Sequence, residues 1–203
     1  MSTLFPMFLK LAGRRCLVVG AGTIALPKIE SLLNAGAQVL VVAPQAGERV
    51  RQLAAGGYVL WEARDFRPAD LVGIFLAVVA TSSRETNDFV FREAVGLGVL
   101  CNVVDDPERC DFYYPAVVRR GQLQIAVSTG GLSPALAQRI RQELEQHFEM
   151  EYEAWLEELA RARRELLRRP MHRARRLLLL HRLASREAFS EFRRRKRPAQ
   201  GSA

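Results

Sequence analysis

Cysteine is scarce. Cys16, Cys101 and Cys110 are the only three in 203 residues, and no two form a C-x-x-C pair. An odd, scattered set excludes a disulfide-stapled scaffold and a thiolate metal cage, and it points to a reducing compartment, the cytoplasm. Histidine is as rare: His147, His172 and His181 show no H-x-x-x-H motif and no carboxylate–histidine cluster, so no iron site is expected. No apolar run is long enough for a membrane span, and no charged-then-apolar leader opens the chain. A membrane role is therefore not expected. Residues 1–150 also lack any charge imbalance, with 15 Lys+Arg against 15 Asp+Glu. Residues 151–203 hold 15 basic and 7 acidic residues, which accounts for the whole net charge of +8. Such a surface suits a polyanionic partner, or is a solvated helix face and nothing more.

What is present begins at Arg15-Cys-Leu-Val-Val-Gly-Ala-Gly-Thr-Ile-Ala25. Cys16–Val19 reads as a buried parallel strand, and Gly20-Ala-Gly22-Thr-Ile-Ala25 is a G-x-G-x-x-A turn running into a helix marked by Ile29, Leu32 and Leu33. In that pattern Gly20 permits the tight turn, Gly22 lets the backbone approach a pyrophosphate, and Ala25 allows close helix–strand packing. The helix start directs N–H groups and a positive dipole end at the phosphates. A second strand, Gln38–Val42, completes a βαβ unit of about thirty residues, the context the fingerprint requires. After it come Ala43-Pro44-Gln45, where a site selecting NAD usually carries an acid for the ribose hydroxyls. None is present there, nor is an arginine that would suit a 2′-phosphate.

Strand and helix then alternate: a helix over Glu48–Ala55, strands at Tyr58–Glu62 and Ile74–Ala80, a helix over Asn87–Gly96 and a strand at Val99–Val104. That order predicts a doubly wound parallel sheet. Thr81-Ser82-Ser83 falls at a strand's carboxyl edge, where such sheets bind ligands. Phe112–Val118 and Leu123–Val127 read instead as a hairpin joined through Arg119-Arg120-Gly121-Gln122. Ser133 suits a helix N-cap and Pro134 the first helical position. Everything from Glu151 to Phe192 reads helical, broken near Pro170, with a disordered tail after Pro198. Pro27, early in the first helix, is expected to delay or kink it.

Several of these segments together resemble one family. Gly20-Ala-Gly22-Thr-Ile-Ala25, Asn102-Val-Val-Asp105-Asp-Pro, Cys110-Asp-Phe112, Tyr114-Pro115-Ala116 and Ser128-Thr-Gly-Gly-x-Ser133-Pro134 are similar to precorrin-2 dehydrogenase, the N-terminal module of sirohaem synthases, over roughly residues 3–148. The resemblance implies an α/β fold: a Rossmann-like doubly wound parallel sheet over residues 1–112, a small α+β dimerisation hairpin and helix over 113–148, and a helical, arginine-rich C-terminal domain over 149–203. It implies NAD-dependent oxidation of precorrin-2 to sirohydrochlorin, with ferrous iron insertion in bifunctional members, and a homodimer. The methyltransferase domain of some members is not found in this sequence, so synthesis of precorrin-2 is not expected of it.

Residue by residue, the resemblance makes Asp105 the catalytic carboxylate. It carries cofactor contacts to Gly20, Gly22, Thr23, Ile24, Pro44 and Gln45, with Thr81 and Asn102 as further candidates for which core or cap roles are equally open. Ser128, Thr129, Gly130 and Gly131 either line the tetrapyrrole site or shape a turn. Asp106, Glu108 and Asp111 read as turn residues or caps. Because the substrate is a polycarboxylate, Arg119, Arg120 or part of the C-terminal basic surface is expected to hold it. A different class of function also fits: a non-catalytic NAD-binding redox sensor with a basic, nucleic-acid-binding tail. No helix-turn-helix pattern supports that reading, and nucleic acid is not the expected partner.

Overall fold

The architecture is that of a computed structural model, which describes residues 4–196. The tail expected after Pro198 lies outside these residues, as does Arg197. The chain divides into two compact units, one ending at Tyr114 and one starting at Pro115, so the hairpin and the arginine-rich helices share a unit.

The first unit is a five-stranded parallel sheet in the order β3-β2-β1-β4-β5. Its strands are β1 (Arg15–Val19), β2 (Gln38–Val42), β3 (Val59–Glu62), β4 (Leu76–Val79) and β5 (Leu100–Val103), separated by α1 (Leu26–Asn34), α2 (Glu48–Ala55) and α3 (Arg84–Gly96). Continuous apolar runs such as Cys16–Val19 form these strands because both faces of the sheet are covered. Cys16, Val18, Val39, Val41, Leu76 and Val78 pack with Ile29 and Leu32 of α1 and Val50 and Leu53 of α2. Leu17, Val19, Val42, Ala77, Val79, Cys101 and Val103 pack with Leu71, Ile74 and with Val90 and Ala94 of α3. Burial pushes the Cys16 thiol up to about 11 and the Cys101 thiol up to about 12, so both behave as small core residues. Parallel pairing throughout brings the carboxyl ends of all five strands to one edge.

Local chemistry moves several boundaries. Pro27 lies in the first turn of α1, where its missing N–H would have no intrahelical partner in any case, so the helix starts at Leu26 and is not broken. Ser83 Oγ accepts from Thr86 N and starts α3 at Arg84, three residues before the expected Asn87. Phe112 and Tyr114 are not strand residues but pack against the core of the first unit. The hairpin strands are β6 (Ala116–Arg120) and β7 (Leu123–Val127), paired Arg120 to Leu123. The turn is therefore only Gly121-Gln122, with φ of +57° at Gly121, the first central position where such a turn needs glycine.

The second unit continues with α4 (Pro134–His147), α5 (Glu151–Arg168), α6 (Arg173–Leu183) and α7 (Arg186–Lys196). Ser133 caps α4 as expected, accepting from Leu136 N. A second break in the helical region, at Ala184-Ser185, was not expected; Ser185 Oγ accepts from Ala188 N and caps α7. Rings of Phe148, Tyr152, Trp155, Phe189 and Phe192 stack or meet edge-on within about 6.4 Å of one another along this series, and Phe192 is 2% exposed. They form the apolar centre of the helices.

Between β3 and β4 the chain is held by a partly buried ion pair. Arg64 donates through both terminal nitrogens to Asp70, each at 2.8 Å, and Asp70 also accepts from Arg67 N at 2.9 Å. The Arg64 guanidinium holds the Asp70 carboxyl below its usual range, against an opposing cost of burial. A carboxyl depressed in the folded state contributes stability above its unfolded pKa, near 3.9, and that contribution is lost as pH falls through the depressed value. Asp70→Asn should therefore cost about 1–3 kcal/mol at pH 7, by urea unfolding, and the gap to the wild type should close as pH drops below about 4. A gap that does not change with pH would mean the pair contributes only through packing.

Candidate functional site

Five strand ends meet at one cleft of about 590 Å³. Gly20–Ile24 after β1, Ala43–Gln45 after β2, Asp65 and Phe66 after β3, Ala80–Ser83 and Thr86 after β4, and Val104 and Asp105 after β5 line it. No lysine or arginine is among the lining residues.

The first turn is built by crowding on one side and emptiness on the other. Gly20 has φ of +108°, its N–H donates to Val42 O, and a Cβ on it would stand 2.3 Å from the carbonyl oxygen of Ala80. Only glycine fits. Gly22 is the opposite case: a Cβ there would meet nothing within 4 Å. The protein itself leaves that space open, which is what a close-approaching phosphate requires. The N–H groups of Gly22, Thr23 and Ile24 make no hydrogen bond to a described residue, while Leu26 N donates to Gly22 O and starts α1. Free amides at a helix start are an anion cradle. Ile24, an apolar side chain 55% exposed beside them, offers a surface for a ring or sugar.

Asp105 stands at one edge of the sheet, after β5. Val103 O accepts from Asp106 N, closing a turn in which Asp105, the third residue, has φ of +64°. Among the described residues it is the one non-glycine in the left-handed region, where a turn of this kind favours Gly or Asn. Holding Asp there costs stability of order 1 kcal/mol relative to Gly. Its acidic neighbours are occupied. Asp106 pairs with Arg109, which also reaches Asp88 at 2.9 Å, and Asp111 accepts from Cys101 N at 2.8 Å and secures the edge of β5. Glu108 lies in a short 3-10 turn and does not line the cleft. Asp105 alone of the four faces it.

Two candidate contacts are engaged within the fold. Asn102 does not line the cleft: it is 7% exposed, and its Nδ2 donates to Phe112 O at 2.7 Å and lies 3.2 Å from Cys110 Sγ. It pins the return of the chain after β5, because a buried amide takes the nearest acceptors. Arg120 is not free for a substrate carboxylate, since it donates to Phe148 O and Glu145 O and closes the carboxyl end of α4. Arg119 remains exposed. Thr81 does line the cleft, with its hydroxyl shared between the Asn87 side chain and the Ser83 backbone. Ser128–Gly131 belong to the second unit, where Ser128 Oγ accepts from Gly130 N, Thr129 Oγ1 accepts from Ser133 N, and both glycines have positive φ. Ser82 and Ser83 line the cleft as the Thr81-Ser82-Ser83 edge suggests, and Thr86 joins them from the first turn of α3. Asp65 and Phe66 also line it, and nothing in the sequence spacing marks them.

The comparisons agree with this geometry. Residues 7–116 match the family model described as NAD(P)-binding, and residues 120–147 match that of the central part of a sirohaem biosynthesis protein. The chain belongs to the precorrin-2 dehydrogenase family. It is 42% identical over 140 residues to siroheme synthase 3 of Aeromonas hydrophila subsp. hydrophila, covering 69% of this chain and 30% of the relative. To siroheme synthase of Neisseria meningitidis serogroup C it is 45% identical over 141 residues, covering 70% and 29%. The chain thus spans less than a third of these relatives. The solved structure of SirC, a precorrin-2 dehydrogenase, superposes with a TM-score of 0.80 at 30% identity, covering 91% of each chain. The first unit is an NAD-binding domain, and the α/β fold with a helical C-terminal region is that of the family. No helix among the described residues is long and apolar enough to cross a membrane. Nothing favours the nucleic-acid-binding sensor. Several arginines of its basic face are engaged internally, Arg193 with Glu149, Arg195 with Glu158, and Arg176 with the carbonyls of Leu166, Arg169 and Met171.

The two glycines separate fold from binding. Gly20→Ala should leave little soluble, folded protein, since the clash is with backbone. Gly22→Val should melt like the wild type, yet lose about ten-fold or more in NADH affinity by fluorescence titration, because the side chain fills the cradle. Normal NADH binding by Gly22→Val would place the dinucleotide elsewhere.

Proposed function

We propose that this protein oxidises precorrin-2 to sirohydrochlorin with NAD, as a homodimer in the cytoplasm. The observation that supports it most is Asp105, an uncommitted carboxylate held at positive φ in a cleft whose far side is a phosphate cradle. NAD, when bound, supplies the hydride acceptor. The chain supplies everything else. Gly22, Thr23 and Ile24 offer amides to the pyrophosphate, while Pro44 and Gln45 bound the cleft after β2 through backbone and shape. Oxidation removes a hydride and a proton from the macrocycle. The Asp105 carboxylate is the group in the cleft placed to take that proton and pass it to solvent.

Ser128, Thr129, Gly130 and Gly131 keep their assignment to the tetrapyrrole in this proposal, and Arg119 becomes the first candidate for a substrate carboxylate. Homodimerisation is supported by β7, whose Leu123, Ile125 and Val127 stay only half-buried although α4 and α5 pack against the hairpin. Iron insertion, if this chain performs it, draws on Asp105 as acceptor of pyrrole protons. Among the described residues no group of three His, Cys, Asp or Glu side chains gathers as metal ligands.

The test couples anaerobic precorrin-2 to the appearance of NADH absorbance, with ferrous ion added afterwards. Asp105→Asn should slow oxidation by about 100-fold or more and leave NADH affinity nearly unchanged. Asp105→Gly relaxes the left-handed turn, so it should be at least as stable as the wild type and still inactive. Turnover retained in both variants would move the proton transfer to another group.

Arg119 and Arg120 should part in the same assay. Arg119→Ala should raise the KM for precorrin-2 by about three- to ten-fold with Tm unchanged. Arg120→Ala should lower Tm and leave KM alone, because its guanidinium holds α4 and not the substrate.

A further inference from the structure

The sequence lacks the acid that usually follows β2 in an NAD-selecting site, and Gln45 stands there instead. The structure brings a carboxylate to the cleft by another route. Asp65, three residues past the end of β3, lines it together with Phe66, Gln45, Ser82, Ser83 and Thr86.

This placement is built. Trp61 Nε1 donates to Ala43 O at 3.0 Å, tying the end of β3 to the loop after β2. Arg64, the cation next to Asp65 in sequence, is clamped by Asp70 with Glu62 3.6 Å away; it donates to the Asp65 backbone oxygen at 3.1 Å and is not among the residues lining the cleft. Phe66 meets Phe89 of α3 edge-on at 5.8 Å and packs against the apolar cluster on that face of the sheet. Anchored on both sides, Asp65 is left exposed at the tip of its loop.

Position along the sheet assigns its ligand. The phosphate cradle follows β1 at the centre, and Asp105 follows β5 at one edge. Asp65 follows β3 at the opposite edge, four strand spacings or roughly 19 Å from β5. If the reactive ring of an extended dinucleotide lies by Asp105 and its pyrophosphate at Gly22, the remaining half is adenosine, and it lies toward β2 and β3.

We propose that Asp65 is the residue that selects NAD(H) over NADP(H), its carboxylate facing the adenosine half and repelling a 2′-phosphate. The inference rests on the reading of the cleft as a dinucleotide site. A phosphate dianion there would meet a negative side chain with no lysine or arginine among the lining residues to offset it. Adenosine without that phosphate offers hydroxyls and an amino group, all donors that a carboxylate accepts. The role absent after β2 is thus filled from β3.

The experiment is a pair of fluorescence titrations, NADH and NADPH, on the purified full chain at low salt and without tetrapyrrole. The wild type should bind NADH about ten-fold or more tightly than NADPH, and the ratio should shrink as salt screens an exposed carboxylate. Asp65→Asn should bring the two within about three-fold, chiefly by improving NADPH, and Asp65→Arg should reverse the order. Because Asp65 is exposed, both variants should melt like the wild type. An unchanged ratio in Asp65→Asn, or a wild type that binds both equally, overturns this assignment and leaves the dinucleotide site standing. A wild type that binds neither overturns the site and the assignment with it.

Discussion

The close approach of Gly20 to the carbonyl of Ala80 is the contact on which the rest of the first unit depends. With less than a side chain's room between them, the turn after β1 and the loop after β4 are locked as one surface. That lock sets the floor of the cleft, turns the amides of Gly22–Ile24 outward and leaves Thr81–Ser83 beside them. Beyond it, Leu26 N donates to Gly22 O and starts α1, and Pro27 enters the first turn at no cost in hydrogen bonds.

Much of this was legible in the sequence because it is local. Cys16–Val19, Gly20-Ala-Gly22 and the recurring apolar runs carry the sheet and its cradle in short-range patterns, and Ser133-Pro134 carries the start of α4. Other positions are decided by a distant partner. For Asn102 the sequence leaves a cofactor contact and a core role equally open, and the return of Phe112 and Cys110 to its amide decides for the core. Arg120 looks like a free surface cation, but the helix that ends at His147 presents carbonyls to it. The start of β6 was placed four residues early because Phe112 and Tyr114 have strand-like side chains; their rings go instead into the core built by β1, β2 and β4.

Asp105 and Asp65 show the same contrast between two carboxylates in one cleft. Asp105 is marked by a recognisable run after Asn102-Val-Val, with Asp106, Glu108 and Asp111 close beside it in sequence. Structure separates them by occupancy: two of those neighbours have cationic or amide partners, Glu108 lies off the cleft, and Asp105 has strain and an open face. Asp65 had no such run. Its position depends on the Arg64–Asp70 clamp and on Phe66 reaching Phe89, contacts between segments that sequence spacing does not join.

A cleft with two carboxylates and no lysine or arginine poses a problem for a protein whose proposed ligands are both anions. Its resolution lies in the kind of positive charge used. Backbone amides and the start of α1 present partial charges over a short range, enough for a pyrophosphate that touches them and too local to attract a polycarboxylate from solution. Long-range attraction must come from full charges, and the imbalance of those is confined to residues 151–203, with 15 basic against 7 acidic. Several of these arginines are engaged in the folding of their own helices, yet an ion pair that holds a helix still leaves the net field of the unit positive. Neutral amides and basic helices thus supply two kinds of attraction: the first acts only on contact, the second over about a Debye length.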